Sequence, residues 1–216
     1  MSERSTPVTD TLFDYVAERT TREDRFLAEL RVAAEAAGLP RIWISPEQGS
    51  FMQILLQAAR VREMVEVGTL GGYSAIWMAR ALPSGGRLRT IEVEPKHADF
   101  AERWIARSDV AERIALLRGK AIDVLPGIAT GSADALFLDA DRPSYPRYLP
   151  ECLRIVRPGG LVLVDNAFAN GRVADPAATE GTVPAMREFN DLVTRTPELR
   201  AVIVPIGDGL WVAVRR

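Results

Sequence analysis

MVEVGTLGGYSAIWMARAL, Met64 to Leu82, decides the architecture of this chain. Its opening MVEV reads as a short buried strand, apolar except for Glu66. From Gly72 onward the apolar side chains fall at helical spacing, and Pro83-Ser84-Gly85-Gly86 closes the run. Between strand and helix lie Gly68, Gly71 and Gly72, residues that let a backbone turn tightly and approach a ligand closely. A strand that turns through glycines into a helix is the first half of a strand–helix–strand unit.

Working outward, the alternation continues. RLRTIEV (87–93) predicts a strand, PKHADFAERWIARS (95–108) a helix and IALLR (114–118) a strand. AIDVLPGI (121–128) predicts a short helix, ADALFLD (133–139) a strand and YLPECLRIV (148–156) a helix. RPGG (157–160) reads as the turn into strand LVLVD (161–165), and PAMREFNDLVTRT (184–196) as the last long helix. RAVIVPI, GDG and LWVAVRR read as a closing hairpin. Such alternation predicts a doubly wound α/β domain with a mainly parallel sheet and a C-terminal antiparallel hairpin at its edge. Upstream, helices are expected over Asp10–Arg19, over Glu23–Ala37, and from Ser45-Pro46 through Ala59, where serine caps and proline takes the first turn. The chain is read as one domain, a helical extension over 1–60 and a ligand-binding core over 61–216.

Bulk properties narrow the function. The 216 residues are 47% hydrophobic, enough for a large core, and the net charge is −2 with a pI of about 5.6. That balance gives no drive toward nucleic acid or a membrane surface. The N-terminus MSERSTPVTD carries no apolar leader, and no apolar run is long enough to span a bilayer. One cysteine, Cys152, falls in a helical run and reads as a buried structural thiol. A soluble, cytoplasmic protein is the expectation.

In open parallel sheets ligands bind at the carboxyl ends of the strands, and the chemistry-bearing residues cluster there. The loop EVGTLGGYS is spaced G-x-x-G-G, a poor match to the dinucleotide fingerprint G-x-G-x-x-G. Glu92 ends the second strand, where an acid bonds a ribose diol, so the ligand reads as adenosine-like. Two further strand tips carry oxygen ligands: Asp139 and Asp141 after ADALFL, and Asp165 with Asn166 after LVLV. Asp139, Asp165 and Asn166 offer only oxygens, which selects Mg²⁺, Ca²⁺ or Mn²⁺ over zinc or copper. A plain turn cap at Asp165-Asn166 is the alternative. His97, the single histidine, reads as a surface or capping residue, and Trp43, Trp77 and Trp104 as core or interface. Trp211 could line an acceptor site or pack the hairpin; Phe168 and Arg172 could reach an acceptor or serve the loop alone; Tyr145 and Tyr148 read as core at a helix start.

Nearly the whole chain resembles the class I S-adenosylmethionine-dependent methyltransferases, and within them the cation-dependent caffeoyl-CoA and catechol O-methyltransferase family. The resemblance runs through TDTLFDYVAERTTRED, ISPEQGSFM, EVGTLGGYSAIWMARALP, RTIEVEPKHADFAERW, RGKAIDVLP, DALFLDADRPSYPRYL, RPGGLVLVDNAFANGRVADP, MREFNDLV and PIGDGLWVAVRR. It implies a Rossmann-like methyltransferase fold with a seven-stranded sheet and covering N-terminal helices. It implies that Glu66, Gly68 and Thr69 shape the pocket for the methionine part of S-adenosylmethionine, with Ile44 near that end and Ser74 bonding its carboxylate. Glu92 would hold the ribose, Ala121 would border the adenine, and Asp139 would touch both the cofactor's amino group and a divalent cation, Mg²⁺ by preference. Asp165 and Asn166 would complete the metal site, the acceptor would be a small molecule with vicinal hydroxyls, and the protein a homodimer.

One position departs from the family. The lysine read as its general base is Arg142 here, and arginine cannot give up its proton. Three readings stand: the metal alone acidifies the acceptor while Arg142 steadies the phenolate; Asp141 or water takes the proton with Arg142 holding the acid; or Arg142 faces solvent or an acidic substrate group. Rival functions are a methyltransferase of the same family acting on a hydroxylated RNA base, a cofactor-binding protein with little turnover, and a short-chain oxidoreductase. The last lacks G-x-G-x-x-G and any Tyr-x-x-x-Lys.

Overall fold

The structure is a computed structural model and describes residues 6–216. The leader-free reading of the N-terminus falls in part on residues 1–5, outside the described residues.

Three helices come first: α1 (Asp10–Ala17), α2 (Arg25–Ala36) and α3 (Pro46–Ala58). Each starts on the side chain its sequence offers. Thr9, Asp24 and Ser45 accept hydrogen bonds from the backbone N–H groups of Leu12, Leu27 and Gln48. The alternating part follows as β1 (Glu63–Val67), α4 (Tyr73–Ala81), β2 (Arg87–Glu92), α5 (Pro95–Ile105), β3 (Ile114–Arg118), α6 (Ala121–Val124), β4 (Ala133–Leu138), α7 (Tyr145–Ile155), β5 (Val156–Val164) and α8 (Val183–Arg195). The chain closes with β6 (Leu199–Val204) and β7 (Leu210–Arg215).

The seven strands lie in the order β3-β2-β1-β4-β5-β7-β6. Pairings from β3 through β5 are parallel, and β7 is antiparallel to both β5 and β6. The α/β fold with its C-terminal antiparallel strands is as the sequence predicts, with one refinement. The last strand does not stand at the edge; it inserts between β5 and β6. A second difference concerns RPGG. It lies inside β5, where Val156 pairs with Ala133 and Leu161 with Ala135, so the four residues between bulge out of the ladder.

Side-chain alternation sorts the sheet's two faces. Met64, Ala135, Phe137, Leu161 and Leu163 pack with α2, α3, α4 and α5 in one apolar layer. Val65, Val67, Leu136, Leu138, Val162 and Val164 pack with α7 and α8 in the other. Cys152 is in this second layer, fully buried, and burial pushes its thiol up to about 12, so it is inert packing. The strand order reverses between β1 and β4, and their carboxyl ends form the crevice where such sheets take ligands. Among the described residues no helix is long and apolar enough to cross a membrane.

Candidate active site

A cavity of about 1200 Å³ opens at that crevice. Ile44, Gly68, Thr69, Ser74, Glu92, Ala121, Asp139, Arg142, Asp165 and Asn166 all reach its wall. Register explains the convergence. Leu138 pairs with Val164, so the next residues on the two parallel strands, Asp139 and Asp165, are neighbours at the sheet's lip. Both continue the alternation onto the face that meets α3 and α4. Their ladder continues into the loop, with the Asp139 N–H donating to Val67 O at 2.9 Å and the Asp165 N–H to Leu138 O at 3.0 Å.

The turn after β1 is shaped by a close crossing. Gly68 has φ +104, and a Cβ placed on it would lie 1.8 Å from the backbone oxygen of Asp139. Only glycine allows β1 and β4 to leave the sheet side by side here. Gly72, at φ +85, then starts α4 with no side-chain cap, and the first helical residues, Tyr73 and Ser74, line the cavity.

Glu66 departs from its expected place. It points to the same side as Met64, beneath α4, and lies wholly buried behind the cavity wall instead of on it. Its carboxylate accepts hydrogen bonds from the hydroxyls of Ser74 and, at 2.6 Å, Thr90, and the Thr69 hydroxyl meets that of Thr90 at 2.5 Å. Burial pushes Glu66 up to about 7 against the pull of those two hydroxyls, and the Glu92 charge adds to the rise. Glu66 therefore sets the orientation of Ser74, and Ser74 is what the cavity meets. Glu92 does line the cavity: its oxygens accept the N–H groups of Leu70 and Glu94, each at 2.8 Å, which fixes the carboxylate toward the open space. His97 stands 3.8 Å from it.

At the other end of the cavity, burial and then the neighbouring Asp165 and Glu66 charges push Asp139 well above the ordinary carboxylate range. Asp165 is raised too, chiefly by burial, against the hydrogen bond from Gln48. Gln48 Nε2 donates to Asp165 Oδ1 at 2.8 Å and Asn166 Nδ2 donates to Oδ2 at 2.5 Å. Arg142 points inward, not to solvent. Its Nε donates to Asn166 Oδ1 at 2.6 Å and Nη1 to Thr182 Oγ at 3.0 Å, and Nη2 lies 3.9 Å from Asp208 Oδ2. Nor does it hold Asp141, whose oxygens accept the hydroxyls of Ser144 and, at 3.0 Å, Tyr148.

A model of the O-methyltransferase family matches residues 17–216, all of the site included. The chain belongs to that family. The catechol O-methyltransferase of Niastella koreensis is 40% identical over 193 residues, 88% of this chain and 87% of the relative. That of Mycobacterium tuberculosis is 39% identical over 176 residues, 79% of this chain and 80% of its own. Among solved structures, a Bacillus cereus O-methyltransferase in complex with SAH (S-adenosylhomocysteine) aligns with a TM-score of 0.87 at 35% identity, covering 95% of this chain and 97% of that one. Family membership removes the short-chain oxidoreductase reading.

Tested for a divalent cation, the donor set of this O-methyltransferase does not fit as it stands. Asp139, Asp165 and Asn166 come together as expected, but both Asp165 oxygens already accept protein N–H groups and the Asn166 oxygen is held by Arg142. Asn166 turns its amine, not its oxygen, toward the Asp165 carboxylate.

The sequence left three residues of this corner unassigned. Gln48 reaches it from α3, and its signal is a polar residue on the stripe shared with Met52 and Leu56. Thr182 and Asp208 come from loops whose sequences, EGTVP and GDG, read as punctuation. Other residues resolve simply. Trp211 packs the hairpin, its Nε1 donating to Asn190 Oδ1 at 2.7 Å, while Trp43, expected in the core or an interface, forms cavity wall. Phe168 lies under Gly209 and Arg172 pairs with Glu180, so both serve their loop. Tyr145 is core, and its hydroxyl accepts the Ala140 N–H at 3.2 Å.

Proposed function

We propose that this O-methyltransferase moves a methyl group from S-adenosylmethionine to one hydroxyl of a small acceptor with neighbouring hydroxyls, a catechol or a hydroxycinnamoyl-like compound. The observation that carries the reading is the single cavity joining two differently built ends. A pocket for one drug-sized ligand occupies roughly 300–1,000 Å³; this one, at about 1200 Å³, has room for two molecules side by side. The Gly68 turn, Ser74 and Glu92 end suits the nucleoside donor: a glycine cradle, helix N–H groups for a carboxylate, and a fixed acid for a ribose diol. The Asp139 and Arg142 end suits a polar acceptor. The relatives named for catechol support that chemistry.

When bound, S-adenosylmethionine supplies a sulfonium methyl: the oxygen–carbon bond forms as the carbon–sulfur bond breaks, sulfur keeps the electron pair, and the hydroxyl proton passes by way of the Asp139 carboxylate to water. The chain's own residues bind and orient. Glu92 holds the ribose; Ser74, steadied by Glu66, and the first turn of α4 hold the amino-acid carboxylate; Ile44 closes the apolar side. Ala121 opens α6 at the cavity wall, where it borders the adenine. The Asp139 carboxylate, to which no described residue donates, accepts the hydrogen bond of the reacting hydroxyl. Arg142 faces the developing phenolate oxygen. Placing two reactants at ~3–3.5 Å in one closed site supplies much of the rate.

A homodimer remains part of this proposal. It is supported by α1, none of whose residues is buried, with Phe13, Tyr15 and Val16 exposed. The test of function is S-adenosylhomocysteine release from S-adenosylmethionine with a panel of catechols against matched mono-phenols. Turnover confined to the vicinal diols is the expected result. Turnover on the mono-phenols at equal rate would remove the two-hydroxyl acceptor, and donor binding with no turnover would favour the cofactor-binding alternative.

A further inference from the structure

We propose that Arg142 stands in for the metal: its guanidinium is the cation of the acceptor pocket, and the enzyme methylates its acceptor without a divalent ion. The inference rests on the methyl-transfer reading above. It is carried by how the polar atoms at the pocket floor are used.

An amide side chain has an oxygen on one side and an amine on the other. Arg142 Nε–H takes the Asn166 oxygen at 2.6 Å, which turns Asn166 Nδ2 onto Asp165 Oδ2. Turning the amide over would aim Nδ2–H hydrogens at the Nε–H of a permanent cation, two donors facing each other, and would break the charge-assisted bond. The other Asp165 oxygen is held by Gln48. Of the three groups that a hard cation would need, only the Asp139 carboxylate has no donor among the described residues. A lone carboxylate is a weak site for an ion that takes six or more oxygens.

The guanidinium itself is held by two hydrogen bonds and faces an acidic group on a third side. Asn166 and Thr182 accept two of its five N–H bonds, and Asp208 presents Oδ2, a buried oxygen with no hydrogen-bond partner among the described residues, 3.9 Å from Nη2. The other three N–H bonds make no hydrogen bond to a described residue, and Arg142 lines the same cavity as Asp139. An acceptor with two neighbouring oxygens is thereby read by one carboxylate and one cation. Its reacting hydroxyl donates to Asp139. The oxygen that becomes anionic meets a positive charge that is already in place, needs no ion from solution and cannot lose its proton. A lysine ammonium has three N–H bonds and no planar fork, so holding Asn166 and Thr182 would leave it a single N–H for the acceptor.

The experiment titrates Mn²⁺ into the full chain with S-adenosylhomocysteine bound, by calorimetry and by the Mn²⁺ electron-spin signal. It compares wild type, Arg142→Lys and Asn166→Asp, and assays catechol turnover of the same proteins in EDTA and in Mg²⁺. Wild type is expected to show no saturable Mn²⁺ site and to keep its turnover within about 2-fold in EDTA. Arg142→Lys frees the Asn166 oxygen, and Asn166→Asp puts an oxygen on both sides while Arg142 stays paired. Each is expected to show a saturable Mn²⁺ site at least about 10-fold tighter than the weakest binding the titration detects in wild type, the worth of one charge-assisted hydrogen bond. Wild type that binds Mn²⁺ as tightly as the variants, or loses its turnover in EDTA and regains it with Mg²⁺, overturns the inference. Absence of turnover in every condition would refute the proposed acceptor, and the Mn²⁺ titration would still decide this point. If Arg142→Lys does not fold, Asn166→Asp alone carries the comparison.

Discussion

Replacing Glu66 with glutamine tests the physical account of the cofactor loop through stability alone. Glu66 is wholly buried under α4, and its folded carboxyl is raised from its ordinary 4.5 to about 7, first by burial. The sign follows from linkage. Below pH 4.5 the group is neutral in both folded and unfolded chains, and the folded state keeps its full stability. As pH rises through about 7 the unfolded chain is already ionised, the folded one must ionise in an apolar place, and stability falls. Each pH unit of that gap is worth about 1.4 kcal/mol, so wild type loses about 3 kcal/mol across it. The glutamine variant has no charge to bury, so its curve lacks this slope. Asp165, which Glu66 does not shift, drops out of the difference to first order, whereas Asp139, raised in part by the Glu66 charge, adds to the difference with the same sign. Urea unfolding at half-unit steps from pH 4.5 to 8 is the assay. The wild-type minus E66Q difference is expected to change by about 3 kcal/mol, or ~6–12 °C in melting temperature for a chain of this size. Parallel curves would refute the argument, showing that the hydroxyls of Ser74 and Thr90 offset the burial of the charge.

Three further outcomes follow from the same contacts. Gly68→Ala forces a Cβ to 1.8 Å from the Asp139 oxygen at φ +104; a loss of ~3 kcal/mol or more in urea unfolding, with loss of S-adenosylmethionine binding in calorimetry, is expected. Glu92→Gln keeps the shape and removes the charge that faces the ribose. Its dissociation constant for S-adenosylmethionine should rise by ~10–100-fold with kcat changed far less, and an unchanged constant would remove Glu92 from the ribose. Gln48→Leu leaves Asp165 Oδ1 without its 2.8 Å donor. A stability loss of about 1–3 kcal/mol and a fall in catechol turnover are expected while donor affinity stays within 2-fold; weakened donor binding would refute this placement of Gln48.

The strands and helices were legible because burial imposes a period. Strand ends at Glu92 and Leu138 fall within a residue of where the alternation stops, and Ser45-Pro46 names the start of α3 by capping chemistry alone. RPGG misled for a physical reason. Proline and glycine mark a chain reversal in most contexts, but here a bulge takes them up inside β5, since Leu161 resumes the ladder next to Ala135. The hairpin's place beside β5 was hidden because a strand's partners are chosen across space and leave no period in its own sequence.

At the site, the sequence by itself determined the inventory: a glycine turn, an acid at the end of β2, and oxygen-bearing side chains at the ends of β4 and β5. Those follow from strand ends and turn chemistry, which are local. Tertiary structure decided what each group does. Glu66 became a buried support for Ser74 because alternation turned it under α4, and Asp139 met Asp165 because Leu138 and Val164 share a register. Gln48, Thr182 and Asp208 joined from a helix and two loops far apart in the chain, and only their meeting shows that Arg142 holds the Asn166 oxygen. Residue types state which hydrogen bonds a group is able to make; the packing of the whole chain settles which of them are already made.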